Sequence, residues 1–149
     1  MQRVLLLAAA TLVAAPFVEA QSPAATESKT INGKTITIAY AAPRVNGREG
    51  KIFTKDGLIG RDKTWPIWRA GANSATKLHT DGDLKIGNLA VPAGDYTLFV
   101  DVSDPVGWKL IVNKQTGQWG LTYNKDQDLG RVPMKMAKPS SLVENLKYT

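Results

Sequence analysis

The chain has 149 residues, a net charge of +6, 43% hydrophobic and 21% charged residues, and no cysteine. The missing thiols exclude disulfides, a thiolate nucleophile and any cysteine-ligated zinc or iron–sulfur site. The positive excess is spread thinly, with no block of five like charges, which argues for a solvated basic surface and against a nucleic-acid stripe.

Residues 1–20 read as a cleavable secretory signal. Arg3 supplies a short basic start, residues 4–18 are apolar apart from Thr11 and Pro16, and "VEAQS" places Val18 and Ala20 for cleavage after Ala20. The run is short for a membrane span, which needs about 20 apolar residues. A periplasmic or secreted protein is expected, with no transmembrane segment once the signal is removed. "QSPAATESK" (residues 21–29) is small, polar and proline-bearing, and predicts a flexible leader. Residues 30–149 then make one domain.

Within that domain no long helical stripe occurs, whereas alternation is frequent. In "KTITIAYA" the residues Ile36, Ile38 and Tyr40 share one strand face, behind an Asn32, Gly33 hairpin signal. Residues 43–64 are glycine-rich and charged, and predict a long loop with at most one short element near 52–59. Further strands are expected over 75–80, 84–86, 96–102, 108–113, 119–123, 131–136 and 142–149, separated by "DGD", "IGN", "PAGD", "SDPVG", "NKQTG" and "KPSS". Short strands at this spacing predict an all-β, antiparallel β-sandwich of immunoglobulin-like or jelly-roll-like type.

The segments "YAAPRVNGREG", "WRAGANSAT", "VPAGDYTLF", "WKLIVNKQTGQWG" and "DLGRV" occur in this order. Together they resemble the bacterial exported family called domain of unknown function 2911, over about residues 37–149. The resemblance implies a single exported β domain with no assigned biochemistry. The segment "GREGKIFTKDGLIGRDKTWPIW" looks longer than the usual family link, and the chain looks truncated against the family at its C-terminal end.

Chemistry is concentrated in "TWPIWRAGANSAT". Trp68 and Arg69 with Asn73 suit either ligand recognition or an internal brace, in which the indole is buried and the guanidinium ties loop carbonyls to a carboxylate. The brace is the favoured account, with Asp128 as the natural acidic partner. Arg44 and Arg48, in an irregular segment, complete the set of candidate ligand-binding residues: Arg44, Arg48, Trp68, Arg69, Asn73 and Asp128.

No metal or cofactor site is expected. His79 has Asp81 and Asp83 nearby, but Asp-Gly-Asp is a turn signal that breaks the needed alternation. "NKDQDLG" lacks the glycine and distal glutamate of a calcium loop and reads as a turn. No nucleophile elbow is present.

The sequence therefore points to a non-catalytic binding or interaction module for an anionic or glycan-type envelope ligand. Two alternatives stand beside it: a metal-free enzyme using Asp128 as base and Arg69 as oxyanion partner, and an assembly domain pairing through an open sheet edge.

Overall fold

The computed structural model describes residues 21–149; the expected signal peptide lies outside them. The chain opens with a hairpin, β1 (Ala24–Ile31) and β2 (Lys34–Ala41), in full eight-residue register. Asn32 and Gly33 turn it with φ of 50° and 74°, the two positive angles that a two-residue type I′ turn requires. Much of the expected leader is thus an edge strand. "AATESKTI" gives no alternation because nearly all of it is exposed; backbone pairing to β2 holds it.

Seven further strands follow: β3 (Ile67–Trp68), β4 (Thr76–Thr80), β5 (Leu84–Ile86), β6 (Leu89–Val91), β7 (Gly94–Asp101), β8 (Lys109–Asn113) and β9 (Asp128–Pro133). All pairings are antiparallel. The main sheet runs β1-β2-β4-β7-β8-β9, with β3 also paired to β7, and β5-β6 forms a separate hairpin. Among the described residues the helical content is two short 3-10 turns, Ile59–Arg61 and Lys125–Gln127.

Strand β7 shows why the sheet needs cover on both sides. Its residues alternate, yet Tyr96, Leu98 and Val100 on one face and Thr97 and Phe99 on the other are all buried. The Leu98 face carries the larger core with Leu78, Trp68 and Val112, roofed by the β5-β6 hairpin, Ile52, Phe53, Ile59 and Leu146. The Phe99 face carries a smaller cluster of Ile67, Ala75 and Ile111, with Tyr123 against it. The arrangement is sandwich-like, with one dominant sheet and a second layer of hairpin and irregular chain. Each fully buried large aliphatic or aromatic side chain in it contributes about 1.5–3 kcal/mol.

Two expected strands do not form. Residues 119–123 make only a bridge from Trp119 to Ser74, because Thr122 N–H bonds back to the Trp119 carbonyl and curls the chain into a turn. Residues 142–149 make only a bridge from Asn145 to Arg44. Their backbone bonds, Val45 N–H to Glu144 O and Leu146 N–H to Pro43 O, strap the segment to the 43–64 loop rather than to the sheet. The loop itself is as expected, with the 3-10 turn at Ile59–Arg61 as its short element.

Candidate functional site

The "WRAGAN" segment joins β3 to β4 by a backbone that turns left-handed twice, at Ala70 (φ 54°) and Asn73 (φ 59°). A non-glycine residue there costs about 1–2 kcal/mol. The Ala70 carbonyl, accepting from Thr76 Oγ1 at 3.1 Å and from Tyr148 Oη at 2.7 Å, holds the turn in place. Burial pushes the Tyr148 phenol well above its ordinary pKa, so it stays a donor at any physiological pH.

Trp68 is buried, and its indole N–H donates to the Gly71 carbonyl at 3.1 Å. Its ring meets Phe53 and Trp108 edge-on at 4.8 and 6.4 Å, and those two meet each other at 4.8 Å. Arg69 donates to Asp62 Oδ2 and to the Asn73 carbonyl, each at 3.2 Å. Both members of the ion pair are largely buried, with side chains 14% and 19% exposed. The brace account holds, with a corrected partner. Asp62, at the end of the Ile59–Arg61 turn, takes the place that the sequence gives to Asp128.

Against this brace lies a cavity of about 570 Å3, within the usual span of about 300–1,000 Å3 for small-molecule sites. Its walls come from the 43–62 loop, the Trp68 to Asn73 turn and the 143–147 strap. Five of the six sequence candidates, Arg44, Arg48, Trp68, Arg69 and Asn73, line it together. Arg48 donates from Nε to the Val45 carbonyl at 3.0 Å and from a terminal nitrogen to the Arg44 carbonyl at 2.8 Å. Among the described residues it makes no ion pair. Arg44 is more open, 66% exposed, with Nε 3.4 Å from Glu144 Oε1. The lining holds four cations (Arg44, Arg48, Arg69, Lys147) and two carboxylates (Asp62, Glu144), an excess of two positive charges.

Asp128 is elsewhere. Its Oδ1 accepts from Asn113 at 2.9 Å, while Oδ2 accepts from Tyr123 Oη at 2.6 Å and twice from Arg131, at 3.1 and 3.2 Å. Arg131 also bonds Asp101 at 2.9 Å. Tyr123 stacks edge-on against Phe99, so the network belongs to the Phe99 face, whereas Trp68 belongs to the core of the Leu98 face. Burial, then the bond to Asp128, pushes the Tyr123 phenol far up. At Asp101 burial works upward, but the bonds from Ser103 and the Arg131 charge outweigh it and hold the carboxyl low. Arg69 and Asp128 share no ion pair or hydrogen bond, and Asp128 is not among the residues that line the cavity beside Arg69.

His79 sits on exposed strand surface, Nδ1 at 2.8 Å from Asp95 and Nε2 at 3.0 Å from Asp81. Asp83 is turned away and accepts the Ala93 N–H. The Asp95 bond, then the Asp81 bond, raises the His79 pKa above 6.5. "NKDQDLG" is the turn its residues suggest: Asn124 Oδ1 accepts the Asp126 N–H at 3.0 Å.

Sequence reasoning missed Asp62, Glu144 and the strap. Asp62 had one available signal, an acid seven residues before Arg69 in a charged loop. The strap had none, since "LVENLKYT" alternates well enough to pass for a strand.

The family model described as "Protein of unknown function (DUF2911)" matches residues 22–149, and the chain belongs to that family. No curated protein and no solved structure matches it.

Proposed function

We propose that this is an exported, non-catalytic binding module whose ligand is an anion or an anionic envelope glycan held in the cavity beside the Trp68–Arg69 turn. One observation carries the reading: five residues chosen for recognition chemistry, from two separate sequence segments, converge on one cavity with a surplus of positive charge. Arg69 is the internal brace of that cavity. Arg48 and Arg44 are its seats for an oxyanion, since the former makes no ion pair among the described residues and the latter is mostly exposed. Guanidinium forks match carboxylate and phosphate oxygens in pairs.

The test is calorimetric titration of phosphorylated ligands and envelope glycans into wild-type protein and Arg48→Ala. Binding that weakens about tenfold or more in the variant supports the reading; no binding, or equal binding by both, removes it.

The assembly reading has one observation behind it. Strand β1 ends the sheet order, so its outer edge is unpaired among the described residues, and such an edge can take up a partner strand. Glu27 and Lys29 on that strand work against association. Light scattering decides: a monomer mass at all concentrations removes it.

A further inference from the structure

The cavity lining divides into two chemistries. One part is aliphatic and aromatic: Ile52, Phe53, Leu58, Ile59, Val143 and Leu146. Within it Leu58 and Val143 stay 43% and 55% exposed, so apolar surface is left in water where the cavity opens, and a ligand chain would cover it. The other part is cationic, Arg44 and Arg48, with the Arg48 guanidinium bonded to the Arg44 backbone carbonyl.

A neutral sugar suits this lining poorly. Trp68 offers no free stacking face, being 7% exposed, and its N–H is already spent on Gly71. Saccharide sites present open aromatic faces and unspent polar groups, whereas here the unspent lining is largely hydrocarbon.

We infer that the cavity takes a single-chain amphiphile, its alkyl chain along Ile52, Phe53, Leu58 and Leu146 and its oxyanion head, carboxylate or phosphate, on Arg44 and Arg48. The inference rests on the proposed function, in that it assumes this cavity is the ligand site, and it narrows the ligand class. Glu144 marks the place of the head. Its Oε1 lies 3.4 Å from Arg44 Nε and accepts the Asn46 N–H at 3.0 Å. A carboxylate from the strap thus already occupies a cation and a backbone donor at the rim, and an incoming head displaces it. Because Glu144 competes with the ligand, weakening its charge strengthens binding.

The experiment is isothermal titration of the purified protein with dodecyl phosphate and dodecanoate below their micelle concentrations. Inorganic phosphate, dodecyl maltoside and maltose serve as probes lacking the chain, the charge or both. Both anionic amphiphiles bind, and the tighter of the two names the head. The three control probes bind at least about tenfold more weakly, since each forgoes either the apolar contacts or the charge-assisted bonds. Arg48→Ala weakens dodecyl phosphate by about tenfold. Glu144→Gln, which keeps an acceptor for Asn46, tightens it several-fold; thermal melts confirm that both variants are folded.

Inorganic phosphate or maltose binding as tightly as dodecyl phosphate, and lost in Arg48→Ala, overturns the amphiphile while the cavity stands as an anion or glycan site. Dodecyl maltoside equal to dodecyl phosphate overturns the charged head, as does unchanged affinity in both variants. No binding of any probe overturns the inference and leaves the proposed function to its own titration with phosphorylated ligands and glycans.

Discussion

Single side chains carry the division of labour among the arginines. Arg69 is enclosed and tied to Asp62 and the Asn73 carbonyl, so Arg69→Ala strands a mostly buried carboxylate and should cost about 2–4 kcal/mol in urea unfolding. Arg131 holds the separate network on the other face, and Asp128→Ala, which takes the acceptor from Tyr123 and one of several from Arg131 and Asn113, should cost about 2–3 kcal/mol by the same measurement. His79 gives a pH signature. With carboxylates on both ring nitrogens its folded pKa is raised, so its contribution to stability is complete below about pH 6.5 and is lost as pH rises through the folded value. Its partner Asp81 is held low, chiefly by the bond from His79, and contributes above about pH 3.8, fading as pH falls through its folded value. NMR titration of the imidazole should show the raised pKa, and Asp95→Asn should bring it down.

Elements reveal what the residues alone could say. β7 and the β1-β2 turn were legible: "YTLFV" alternates between two buried faces, and Asn32 with Gly33 can both adopt positive φ. Gly33→Ala should cost about 1–2 kcal/mol through backbone strain alone, because nothing lies within 4 Å of the added methyl; thermal unfolding reads it. β1 was not legible, since an edge strand exposed on both faces has no apolar period to display. Pairing between distant charges was equally hidden: the sequence contains thirteen acids, and choosing Asp62 over Asp128 for Arg69 depends on where the 3-10 turn delivers its end. Gly120 shows the same dependence on the third dimension, since a methyl there would run into Arg69 and sit 2.6 Å from the Asn73 carbonyl. The strap is fixed at Tyr148, whose hydroxyl donates to Ala70 O. Tyr148→Phe should lose only about 1 kcal/mol, because Thr76 still serves that carbonyl.

At the scale of the molecule, the sheet builds two unlike faces. The Phe99 face seals its charged groups into a closed hydrogen-bond network around Asp128 and Arg131. The Leu98 face leaves its second layer to loop and strap, and where these meet the Trp68–Arg69 turn a cavity remains with unmatched positive charge. Under the proposed function, the Trp68–Arg69 segment is the scaffold of a site that Arg44 and Arg48 equip. The candidate residues were legible as types that bind, and their convergence was not, because it depends on the 143–147 segment folding back over the 43–62 loop. The most direct measurement is amide chemical-shift mapping with a phosphate-headed ligand. The account requires shifts concentrated at residues 43–62 and 143–147, with Asp128, Arg131 and His79 unmoved; shifts centred on Asp128 or His79, with the cavity residues silent, would contradict it.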